Sequence, residues 1–90
     1  MSVNLEHLPE AVRALVRIGA KRVILFGSAA TDPQQAGDVD LAVEGIPPEH
    51  ILDADVALMD ILQQPFDLVA RELNPQFFSV VERYGKVLYG

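Results

Sequence analysis

Leu5, Leu8, Val12, Leu15 and Val16 recur at helical spacing, with Pro9 tolerable in a first turn and Gly19 suited to ending a helix. The spacing predicts a helix from about Leu8 to Ile18, with Glu10, Arg13 and Arg17 on a solvated face. Then the period changes. Val23-Ile24-Leu25-Phe26 is a β-branched and aromatic run stopped by Gly27, which reads as a buried strand. After a polar loop, Val39, Leu41 and Val43 alternate with Asp38, Asp40 and Ala42, the period-two pattern of a second strand, closed by Gly45-Ile46-Pro47-Pro48.

From Pro48 to about Leu62 the apolar positions are Ile51, Leu52, Leu58, Met59 and Leu62, widened by Val56 and Ile61, with Asp53, Asp55 and Asp60 off the stripe. This is a second helix, and its broad apolar arc suits core, partner surface or both. Phe66 to Ala70 follows a Gln-Gln-Pro break and has strand character with Asp67 inside it. A third helix from about Pro75 to Tyr84 carries Phe78, Val80 and Val81, ends at Gly85, and leaves Val87-Leu88-Tyr89 for a final short strand. Phe77, Phe78, Tyr84 and Tyr89 are expected in the core, the rival role being to stack on a base. The order α-β-β-α-β-α predicts one α/β (α+β) domain over 1–90, a small mixed sheet of three to four strands packed by helices.

Composition narrows this picture. A chain of 90 residues buries roughly 60 to 65% of its unfolded surface, so its core is limited and a stabilising partner is no surprise. Apolar residues make up 50%, too many for disorder, while unbroken apolar runs such as Val23–Phe26 are far too short to span a membrane. No low-complexity segment or repeat is present. The start MSVNLEHLPE has no basic or long apolar leader, and cysteine is absent, so the expected setting is the cytoplasm. The net charge of −6 argues against direct binding to nucleic acid.

The candidate chemistry lies in GSAATDPQQAGDVDLAV, Gly27 to Val43. Carboxylates within a half-buried strand are costly unless paired or holding a metal. Asp38 and Asp40 are expected to project the same way, with Val39 and Leu41 entering the core on the other side. Asp67 completes a three-carboxylate set if its strand lies alongside. Hard oxygen donors of this kind suit Mg²⁺. Gly27-Ser28, opening a short helical turn after a strand, lets backbone N–H groups approach a phosphate. Metal ligands at Asp38, Asp40 and Asp67 facing a phosphate turn at Gly27 and Ser28 suit nucleotidyl transfer, with Asp67 helping a hydroxyl attack the α-phosphorus and pyrophosphate leaving. His7 and His50, near helix starts, are assigned no role.

Gly-Ser, a loop, Asp-x-Asp and a later strand acid together resemble the polymerase-β-like nucleotidyltransferase signature. With the preceding helix and strand and the ending ERYGKVLYG, the similarity extends over nearly the whole chain and points to the minimal nucleotidyltransferase subgroup. The resemblance implies that fold, catalysis by Asp38, Asp40 and Asp67, two Mg²⁺ ions, and ATP as substrate. It further implies an antitoxin in a hetero-oligomer with an all-helical HEPN ribonuclease toxin, silencing it by transferring AMP to a toxin tyrosine. One departure stands out. Many relatives carry an arginine soon after Gly-Ser, where this chain has Ala29-Ala30-Thr31, so phosphate neutralisation falls to metals, backbone amides, Arg71 or a partner's side chain. Two rival readings are a silent antitoxin acting by binding alone, and a nucleotidyltransferase for a small hydroxylated molecule whose partner subunit supplies the acceptor site.

Overall fold

The computed structural model describes residues 3–90. The described chain runs α1 (Leu8–Ile18), β1 (Arg22–Phe26), α2 (Ser28–Thr31), β2 (Val39–Glu44), a 3₁₀ turn (Pro48–His50), α3 (Ile51–Leu62), β3 (Phe66–Ala70), α4 (Pro75–Tyr84) and β4 (Lys86–Tyr89). One mixed sheet is ordered β3-β2-β1-β4. β1 pairs antiparallel with both β2 and β4, while β2 and β3, joined through α3, pair in parallel.

Strand alternation divides the core into two layers. Val23 and Leu25 of β1, Val39, Leu41 and Val43 of β2, and Ala70 of β3 bury against Leu8, Ala11 and Leu15 of α1 and Ala54, Leu58 and Leu62 of α3. On the reverse face Ile24 and Ala42 meet Phe78 and Val81 of α4. The N-terminal end of that reverse face of β2 is left uncovered by the buried cluster, and it is here that the acids fall. At the opposite end Arg22 pairs with Glu44 at 2.7 Å and with Glu82 at 3.1 Å, and its guanidinium lies 5.4 Å from the centre of the Phe78 ring.

The elements follow local chemistry. α1 starts with Pro9 in its first turn and stops at Gly19, whose φ of 131° suits a residue without a Cβ. α3 ends at Gln63 in the left-handed conformation, two residues before Pro65. The predicted second helix is divided, because Pro48–His50 makes a 3₁₀ turn before the α-helix begins at Ile51. The expected final strand forms and closes the sheet beside β1.

The expectation that all four aromatics of the C-terminal region join the core is corrected. Phe78 is fully buried, but Phe77, Tyr84 and Tyr89 are exposed. Phe77 and Tyr84 share one face of α4 and Phe78 and Val81 another; the second is buried against Ile24 and Ala42, while the exposed Phe77 meets the Phe26 ring of β1 edge to face at 5.6 Å between centroids. Phe78→Ala should therefore cost about 3–5 kcal/mol in urea unfolding, whereas Tyr84→Ala, at a position 74% exposed, should change stability by about 0.5 kcal/mol or less.

Candidate functional site

Asp40 and Asp67 are direct partners across the parallel β2/β3 pair. Neighbouring strands lie about 4.8 Å apart, so two like charges stand side by side, an arrangement that by itself destabilises a sheet. The same register places Phe26 opposite Asp40 on the other side. Even-numbered positions of β2 face the α4 layer, so Asp40 projects away from the main core while Val39 and Leu41 are wholly buried in it. The adjacency of the Asp67 strand, which the spacing alone left open, is present.

Asp38 departs from expectation. It lies in the bend just before β2 and not on the strand. Strand alternation therefore does not orient it. Its charge nonetheless reaches Asp40, whose carboxyl is pushed above its ordinary range first by burial, then by repulsion from Asp38 and from Asp67. Asp67 is exposed, while Asp38 and Asp40 are half-buried.

Gly27 has φ 72° and ψ −160°, a backbone region open essentially to glycine alone. A Cβ at this position would collide with the Asp40 carboxylate and stand 3.2 Å from its Cγ. The turn after β1 is thus pressed against the central acid, and Ser28, exposed, opens the single turn α2 beside it. The first N–H groups of such a turn have no intrahelical acceptor. Gly27, Ser28, Asp40 and Asp67 converge on one end of the sheet, with Asp38 at its margin.

Packing excludes a basic side chain at the position that follows Ser28. Ala29 is buried in the main core beneath α2, and Ala30 packs against the same cluster, so a long basic side chain has no room at 29. Arg71 does not substitute for it. It follows the far end of β3, its N–H donating to the Val43 carbonyl, four residues and about 13 Å of strand from Asp67. Lys86 pairs with Leu25, whose side chain faces the opposite layer. Among the described residues no lysine or arginine forms an ion pair with Asp38, Asp40 or Asp67. His50 engages Asp53 at 3.2 Å, and neither histidine lies among the acids of the site.

Among the described residues no three acid or histidine side chains are already gathered as a metal cage. The donor set is nonetheless of the right chemistry for Mg²⁺: adjacent carboxylates, repelling one another, with no protein cation between them. One acid that the sequence reading passed over belongs to the surroundings. Asp55 of α3, half-buried, is also pushed up, by burial first and then by Asp67. Its spacing marks it only as a polar position, and its nearness to Asp67 follows from the packing of α3 beside β3.

The architecture, one mixed four-stranded sheet packed by helices, is the α/β arrangement expected from the sequence. A solved structure with the same fold is that of the toxin-antitoxin MntA-HpeT, crystallised as a mutant. The matching chain there is 22% identical, the match covers 98% of this chain and 73% of that one, and the TM-score is 0.72. At this identity the likeness is one of fold. No family model matches the chain, and no curated protein does.

Two outcomes follow from this geometry. Gly27→Ala should lower stability by about 1–3 kcal/mol in denaturant titration, through a strained backbone and a displaced Asp40 carboxylate. Asp40, raised in the folded state, binds its proton more tightly folded than unfolded, so its contribution to stability is lost as pH rises from about 4 through the folded value. In metal-free buffer Asp40→Asn should therefore melt higher than wild type near neutral pH, and the gap should close below about pH 4.

Proposed function

We propose that this protein is an antitoxin nucleotidyltransferase that transfers AMP from ATP to a tyrosine of a HEPN ribonuclease toxin. The observation that carries the reading is the in-register pair Asp40 and Asp67, backed by Asp38 and abutted by the glycine turn at Gly27. Like charges set side by side are a cost without a use unless cations and a phosphate substrate bind there. The fold shared with a toxin-antitoxin structure supports the antitoxin part.

Asp38, Asp40 and Asp67 would hold Mg²⁺, which when bound offsets their charge and that of the triphosphate and polarises the phosphate under attack. The Gly27-Ser28 backbone, free of a Cβ at its first residue, admits the outer phosphates closely, and the Ser28 hydroxyl adds a hydrogen bond. Asp67, the most exposed of the three, accepts the proton of the attacking tyrosine hydroxyl. The new bond joins the tyrosine oxygen to the α-phosphorus, the bond between the α-phosphorus and the bridging oxygen breaks, and pyrophosphate leaves with that oxygen. A second reading, a silent antitoxin acting by binding alone, is favoured by one observation: Ala29 and Ala30 fill the place of the family arginine.

Intact-mass measurement after incubation with the toxin, ATP and Mg²⁺ separates the two. Catalysis should give an AMP adduct on the toxin that is lost in Asp38→Ala/Asp40→Ala, with a rate loss of at least about a hundredfold. Toxin neutralised equally by both proteins, with no adduct, would leave binding as the function.

A further inference from the structure

α3 presents two apolar faces. Ala54, Leu58 and Leu62 are in the core, while Leu52, Val56 and Met59 are 72%, 59% and 63% exposed and fall within an arc of about 60° on the opposite part of the helix. Three large apolar side chains aligned over two turns are more than scattered surface residues. Their borders are acidic on both sides. Asp53 and Asp60 lie along one edge of the stripe and Asp55 along the other. The asymmetry extends further, since nine of the thirteen acids fall between Val23 and Ala70, a span holding no lysine or arginine.

We propose that the Leu52, Val56 and Met59 stripe of α3 is the docking surface for a basic partner protein whose apolar ridge covers the stripe and whose lysines or arginines face Asp53, Asp55 and Asp60. Charge complementarity selects this occupant. A second copy of the chain would set acidic borders against acidic borders at a net charge of −6 each, and anionic lipid or nucleic acid is repelled by the same field. The stripe also adjoins the candidate site, because α3 packs beside β3, the strand that carries Asp67. A partner seated on α3 is thus beside the acids of β2 and β3, and its basic residues can supply the positive charge that Ala29 and Ala30 do not. The inference deepens the proposed function, resting on its reading that the acceptor is a protein.

The chain has no cysteine, so one introduced thiol is a clean reporter. Val56→Cys and, on α4, Val80→Cys would be prepared separately and co-purified with the protein encoded in the adjoining reading frame. Maleimide labelling, followed by mass spectrometry, should slow at least about tenfold at position 56 in the complex and stay unchanged at 80. Leu52→Lys/Met59→Lys, both at exposed positions, should melt like wild type yet bind that protein at least about tenfold more weakly, and raised salt should weaken the wild-type complex. Protection at 80 in place of 56, or unchanged affinity of the double variant, overturns this surface. The absence of any complex overturns both the surface and the protein-acceptor reading. Protection at 56 with no AMP transfer upholds the docking surface and removes only the catalytic reading.

Discussion

The register of β2 is the constraint on which the rest of the structure depends. β2 is bonded on both sides, antiparallel to β1 and parallel to β3, so one alignment decides the position of two neighbours. Val39, Leu41 and Val43 then enter the larger core, and Asp40 stands on the opposite face between Phe26 and Asp67. A slip of one residue would send Asp40 into that core and bring the valines and leucine out. The hydrophobic term that builds the sheet is therefore also what holds a carboxylate at a fixed place against another.

This arrangement is permitted by what surrounds it. No polar or charged residue is fully buried among the described residues, and no buried side-chain polar atom lacks a partner. Stability rests on two apolar layers, with the Arg22 ion pairs closing the far end of the sheet over Phe78. The repulsion among Asp38, Asp40 and Asp67 sits at the opposite end, half in water, where screening limits its cost. Gly27 must lie there too, because a residue with a side chain would take the space of the Asp40 carboxylate. Charge pairing and charge crowding are thus separated along one face of the sheet.

How much of this was legible depended on whether a pattern had one solution. The β2 alternation had one, and with it the sides taken by Asp40 and the valines. α1 was read to its ends because Pro9 and Gly19 mark them. In α4, however, Phe77 with Val80 and Tyr84, and Phe78 with Val81, are both good helical stripes, and only tertiary packing chooses between them. α3 posed the same ambiguity, with Leu58 and Leu62 turned inward and Leu52 and Met59 outward. Period two continues through Asp38 and so marks it as a strand residue, yet the ladder begins one residue later, at Val39. Asp55 was invisible as a neighbour of Asp67, since that contact joins two elements.

The packing of α2 links the site to the missing cation. Ala29 is wedged into the main core where α2 meets β1 and β2, so its small size contributes to the position of the glycine turn. A long basic side chain there would have to leave the core and pull the turn with it, moving Gly27 off Asp40. The chain therefore holds its acids and its glycine turn together with no positive charge at position 29. The arginines that flank the sheet stand elsewhere: Arg22 pairs with Glu44 and Glu82, and Arg71 is at the far end of β3. On the proposed reading, charge balance during phosphate chemistry must then come from outside the fold, from metal ions and from a basic protein docked nearby, which makes the acidity of this domain part of how it selects what binds to it.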